Sequence, residues 1–107
     1  MTNQPKSVEF SLPGWINGYC ESYRATCSVN DRMKFVINAA RENIARETGG
    51  PFAAAIFQKD SGELVSLGVN LVTTEGMSML HAEMVAIAVA QKKLATYDLG
   101  GAGVVEH

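Results

Sequence analysis

Cysteine and proline are scarce in this chain, with two Cys and three Pro among 107 residues. Cys20 and Cys27, with six residues between them, make no disulfide framework and differ from the close cysteine pairs of zinc ribbons. They read as structural or free thiols. The ten Gly are too few for a collagen-like chain, and 47% hydrophobic with 19% charged residues is the balance of a globular domain, not a disordered one. Neither sign of charge is in excess: nine Lys plus Arg face eleven Asp plus Glu, a net charge of -2. No general attraction to nucleic acid or to an anionic membrane is therefore expected. Apolar runs stop well short of the roughly 18 residues that suggest a membrane span. The start, Met1 to Phe10, lacks the basic start and apolar block of a secretory signal. The expectation is a soluble protein in a reducing cytoplasm. The length suits one domain and excludes two independent enzymatic ones.

What is present begins with an arm, residues 1–29, that mixes Pro13, Gly14, Asn17 and Gly18 with aromatics and shows no sustained period. It reads as irregular, with room for one short strand, and is expected to pack onto another surface. Trp15, Tyr19 and Tyr23 recur every four residues, but Gly14 and Gly18 weaken a helix there. From an N-cap at Asn30 or Asp31, the apolar residues Met33, Val36, Ile37, Ala40 and Ile44 recur at helical spacing, and Gly49 and Gly50 supply a stop. Pro51 blocks continuation, and the apolar run Phe52 to Phe57 suits a buried strand. Turn chemistry at Lys59 to Gly62 and a second strand from Leu64 to Val69 predict a hairpin. A polar stretch, Thr73 to Ser78, leads to a second long helix over Leu80 to Ala90, apolar nearly all round and so expected to be buried on several sides. This helix should cross from one strand to a neighbour. After the glycine-rich loop Gly100 to Gly103, Val104 and Val105 open another strand. Two complete strands make a marginal sheet, so the α/β architecture reads as incomplete in this chain.

The sharpest local signal is His81, Ala82 and Glu83 opening the second helix, the His-x-Glu half of the zinc-deaminase signature. Residues two apart on a helix do not share a face, so a common site must lie off the N-terminal end. That end carries the positive pole of the helix dipole, which favours a metal-bound hydroxide and thiolates. Taken alone, the pair would read as a plain helix start, with Glu83 favoured by the dipole. Asn70 after a strand would likewise be routine turn chemistry. The glycine clusters lack the strand, loop and helix order, with a following Lys-Ser or Lys-Thr, of phosphate loops. Lys92 and Lys93 fit a solvated helix end.

Their order along the chain raises the functional reading. Gly49 to Ile56, then Gly68, Val69 and Asn70, then His81 to Glu83 fall successively on helix end, strand, strand and helix. With these motifs the stretch from about Asp31 to Leu99 resembles the cytidine deaminase-like superfamily, in particular its guanine deaminase and related nucleoside deaminase branch. The resemblance implies a three-layer α/β/α sandwich around a mixed five-stranded sheet, with zinc held at the N-termini of two adjacent helices. Residues 30–107 would be the N-terminal part of that domain. His81 would be a zinc ligand and Glu83 the general acid and base. Asn70 would hydrogen-bond the base, and Phe52 with Ala54 would line the pocket wall. Thr73 and Thr74 look more like the guanine branch. The tRNA adenosine branch shares the spacing from Asn to His but normally brings basic surface, against which the charge of -2 leans. The resemblance also implies a homodimer.

Two departures stand beside these matches. The loop before His81 reads Met77, Ser78, Met79 and Leu80 where the family usually places Asp-Pro-Thr or similar. The Pro-Cys-x-x-Cys segment that supplies two thiolate ligands does not occur among these residues. Catalytic zinc generally takes three protein ligands and a water, and one stands at its expected place here. The expectation is part of a zinc-dependent hydrolytic deaminase of a purine base, guanine to xanthine with ammonia release, inactive or poor by itself. The alternative is a non-catalytic α/β module that associates with itself or a partner through an unpaired sheet edge and the apolar second helix.

Overall fold

The computed structural model describes residues 3–107. Helix α1 spans Ile16–Glu21 and α2 spans Val29–Ala45. Strands β1 (Ala53–Gln58) and β2 (Leu64–Val69) follow. A single helical turn, α3 (Val72–Glu75), precedes α4 (Ala82–Leu94), and β3 (Val104–Glu106) closes the order.

β1 is central in a sheet ordered β2-β1-β3, and it pairs antiparallel with both neighbours. The expected hairpin is present: Gln58 N–H donates to the Glu63 carbonyl at 2.8 Å, and Gly62 turns the chain at φ 75°. The crossover differs from the expectation. α4 carries the chain from β2 past β1 to its far edge, so β2 and β3 run parallel to each other without touching. Every ladder among the described residues is thus antiparallel, where the resemblance implies a mixed sheet of five strands.

Strand alternation divides the core into two layers. Ala55, Phe57, Leu67 and Val69 face α1 and α2, packing with Ile16, Phe35, Val36 and Ala39. Ala54, Ile56 and Val65 face α4, packing with Ala82, Ala86 and Ala90. The three layers are helix, sheet and helix, as the resemblance implies. Alanines spaced by four let α4 descend onto the sheet. At Gly68 the approach is so close that a Cβ would collide with the Ala82 carbonyl and the Ala86 amide. Beside it, the Ser66 hydroxyl donates to the Ala86 carbonyl at 2.8 Å. The outward side of α4 stays open at Met84 and Lys92, so its apolar residues are not all buried.

Two local readings are corrected. The N-cap of α2 is Ser28, whose hydroxyl accepts from Asp31 N–H at 3.2 Å, so Asn30 and Asp31 lie inside the first turn. The buried face is Arg32, Phe35, Val36, Ala39 and Asn43, while Ile37 and Ile44 are exposed. Tertiary bonds draw the polar pair inward. Arg32 is 5% exposed, donates from Nε to the Thr26 carbonyl at 2.9 Å and lies over the Phe57 ring at 5.3 Å. The helix also ends before Gly49: Glu47 takes the left-handed conformation at φ 56°, with Thr48 N–H bonded to Asn43 O and Glu47 N–H to Ile44 O, a Schellman closure.

The arm is less irregular than its composition suggests, because α1 forms despite Gly18 and no strand occurs among residues 3–28. Trp15, Tyr19 and Tyr23 do make an aromatic face. Tyr19 stacks on Phe35 at 4.9 Å, and Tyr23 meets both Phe35 at 4.9 Å and Phe57 at 5.4 Å. Burial against the chain's own core outweighs the cost of a glycine in a short helix, about 1 kcal/mol.

Candidate active site

At one end of the β1–β2 ladder, Ala53 pairs with Val69, and one step further Asn70 N–H donates to the Phe52 carbonyl at 3.1 Å. The next residue, Leu71, donates to the Leu80 carbonyl at 3.0 Å. Leu71 and Leu80 are both buried, so the loop between them is pinned at its two ends. Their outer neighbours are Asn70 and His81. Residues eleven apart in sequence therefore come together, and β2 ends where α4 begins.

His81 is the N-cap of α4, with extended backbone at φ -68° and ψ 154°. Its carbonyl accepts the Val85 N–H at 3.0 Å, but its side chain makes no capping bond and stays exposed. Glu83 lies in the first turn and is exposed, while Ala82 between them is buried on the sheet. The imidazole and the carboxylate thus stand free at the positive end of the helix, as a site off that end requires. The Asn70 Oδ1 accepts from Val72 N–H at 3.2 Å, the turn role open to any Asn after a strand. That bond directs the amide Nδ2 the other way.

Phe52 is 60% exposed and sits just before β1, its carbonyl bonded to Asn70. Ala54 is 7% exposed and lies under α4 in the cluster with Ala82 and Ala86. It supports the helix start from below and presents little open wall. Glu106, which sequence reasoning did not single out, pairs with Ile56 on the α4 side of the sheet. Burial first, and the Glu83 charge second, push its carboxyl above the ordinary glutamate range. Its signal was available only through the register of β3.

Among the described residues no three His, Cys, Asp or Glu side chains gather into a group able to hold a metal ion. Cys20 belongs to α1, in a groove shared with Leu64, Val89 and Lys93, and burial pushes its thiol up. Cys27 contacts the Asp60 carbonyl at the hairpin turn, the opposite end of β1 from Asn70 and roughly 20 Å of strand away. His107 pairs with Ala55 and packs its ring on Phe57 at 5.5 Å, on the face of the sheet away from α4. These residues offer a zinc ion one imidazole at the expected place, which does not make a catalytic zinc site.

The fold is an α/β/α sandwich in which a His-x-Glu pair opens the helix beneath which β2 ends. Residues 28–106 match the family model described as the cytidine and deoxycytidylate deaminase zinc-binding region. The chain belongs to this family. It is 37% identical over 67 residues to the guanine deaminase of Bacillus subtilis (strain 168), a match covering 63% of this chain and 42% of that protein. Among solved structures, the guanine deaminase from Nitrosomonas europaea superposes with a TM-score of 0.83 at 35% identity, covering 97% of this chain and 59% of that one. A structure in complex with 2,6-diaminopurine superposes at 0.81 with 38% identity, covering 92% of this chain and 54% of that one. The chain thus spans about half the length of these relatives. No helix among the described residues is long and apolar enough to cross a membrane.

Proposed function

We propose that these residues are the His-x-Glu-bearing part of a zinc-dependent hydrolytic purine deaminase, converting guanine and water to xanthine and ammonia. The observation that supports this reading is the bond between Leu71 and Leu80, which sets Asn70 beside the start of α4 where His81 and Glu83 stand free. In this reading His81 gives one metal ligand, and Glu83 carries a proton from water to the leaving amine. Asn70 binds the base, with Phe52 along the exposed side of its loop and Ala54 under the helix. The further metal ligands that zinc requires are not brought to His81 by these residues, so the activity is that of a completed enzyme. A reducing cytoplasm suits its two free thiols, and a homodimer accompanies the reading by family likeness.

The test supplies a polypeptide carrying Pro-Cys-x-x-Cys to this chain and measures zinc content and guanine-dependent ammonia release. Both should appear together. Glu83→Gln should keep zinc and lose turnover, whereas His81→Ala should lose the metal. A zinc-loaded complex that releases no ammonia from guanine overturns the proposal. A second reading, an association module without catalysis, draws on the exposed Val29, Ile37 and Ile44 along α2. It expects association of the two polypeptides with neither zinc nor deamination.

A further inference from the structure

We infer that Asn43 is a positioning residue for the purine-binding edge, holding Asn70 in place; the inference rests on the base-binding role proposed for Asn70. Asn43 lies in the last turn of α2 and is 0% exposed. A primary amide buried in a helix costs stability unless its bonding capacity is used. Here Nδ2 donates to the Gly50 carbonyl at 2.9 Å and to the Asn70 carbonyl at 3.0 Å, and Oδ1 accepts from the Thr48 hydroxyl at 2.6 Å. One side chain thus joins the end of α2, the glycine loop before β1 and the end of β2.

The surroundings leave this joint little freedom. The Thr48 hydroxyl also accepts from Trp15 Nε1 at 2.9 Å, and the Thr48 carbonyl accepts from the Thr74 hydroxyl at 2.5 Å. At Gly49 a Cβ would collide with the Asn70 carbonyl and come within 2.7 Å of Asn43 Nδ2. At Gly50 it would stand 3.4 Å from Asn70 Oδ1. The two glycines are therefore where the loops close on one another. Asn70 is held through its N–H by Phe52, through its carbonyl by Asn43 and through its Oδ1 by Val72. With those atoms fixed, the direction of its free amide is fixed as well, so the Asn43 amide sets the pose of a group that it does not share with the base.

The experiment uses the 107-residue chain joined by the polypeptide carrying Pro-Cys-x-x-Cys, with the chain as wild type and as Asn43→Ala, Thr48→Val and Asn70→Ala variants. It measures 2,6-diaminopurine affinity and amide exchange at a temperature where each variant is fully folded. Asn43→Ala should weaken binding about tenfold. It should also speed exchange at Asn70 and Val72 while leaving the β1–β2 ladder protected. Thr48→Val, which frees the Asn43 Oδ1 without touching Asn43, should move both readouts in the same direction by a smaller factor. A role confined to stability would lower the melting temperature without changing the affinity of folded protein. Should Asn70→Ala lose binding while Asn43→Ala and Thr48→Val keep it, the Asn43 inference is overturned and the purine site stands. If wild type takes up no 2,6-diaminopurine, or Asn70→Ala takes it up unchanged, the base-binding role of Asn70 falls and the inference falls with it.

Discussion

Gly68, the last residue but one of the edge strand β2, lies directly beneath Ala82, the residue between His81 and Glu83. A side chain at position 68 would meet backbone on α4, the Ala82 carbonyl and the Ala86 amide, and neither can swing aside. Gly68→Ala should therefore lift the first turn of the helix, destabilising the chain by about 1–3 kcal/mol. Urea unfolding would give the stability loss. The His81 imidazole resonances, read in the folded protein, should shift as well. A variant with the wild-type midpoint and unshifted His81 would mean that α4 does not rest on Gly68.

Tyr19 fastens the arm to α2. Its hydroxyl donates to the Phe35 carbonyl at 2.6 Å, and its phenol is pushed up to about 12 by burial first, then by the Glu42 and Cys20 charges. The folded state thus favours the neutral phenol. This contribution is complete below the ordinary tyrosine value of about 10 and is lost as pH rises through about 12. Tyr19→Phe should cost about 1 kcal/mol at neutral pH, one net hydrogen bond. It should also flatten the alkaline fall in stability over that window. Urea midpoints across the alkaline range would measure both, and an unchanged alkaline slope in Tyr19→Phe would remove Tyr19 as its source.

Much of this architecture is legible in the chain's own patterning, because helical spacing from Asn30 or Asp31 to Ile44 marks α2, the alanine-rich apolar run Leu80 to Ala90 marks most of α4, and the Lys59 to Gly62 turn announces a hairpin. The positions of the candidate residues His81, Glu83 and Asn70, at the start of α4 and the end of β2, were legible too, since their signal is local order and spacing. The face of α2 was not. Its apolar stripe runs through Ile37 and Ile44, yet Arg32 and Asn43 are buried in their stead because they bond backbone carbonyls that only the folded chain brings near. Gly49 and Gly50 read as a helix stop, whereas α2 has already closed at Glu47 and the glycines instead admit the Asn70 carbonyl. Helix α1 was obscured for the opposite reason. Its stability comes from core residues distant in sequence, with Tyr19 stacked on Phe35 and Ile16 buried in the same cluster, and not from the propensity of its own residues.

Glu106 offers a test of the electrostatics around Glu83. It sits opposite Ile56 on the α4 side of the sheet, and its carboxyl is raised by burial first and by Glu83 second. A raised carboxyl favours the protonated form in the folded state. Its contribution is complete below the ordinary glutamate value of about 4.3 and is lost as pH rises through the folded value. Glu106→Gln is neutral throughout, so it should exceed wild type in stability at pH 7 and match it in acid, and the gain should narrow when the same change is made in a Glu83→Gln background. Urea midpoints of the four proteins on both sides of the transition would measure the differences. A wild-type chain that gains stability over Glu106→Gln as pH rises would mean that Glu106 finds a favourable partner when charged, and that it does not feel Glu83 as a like-charged neighbour.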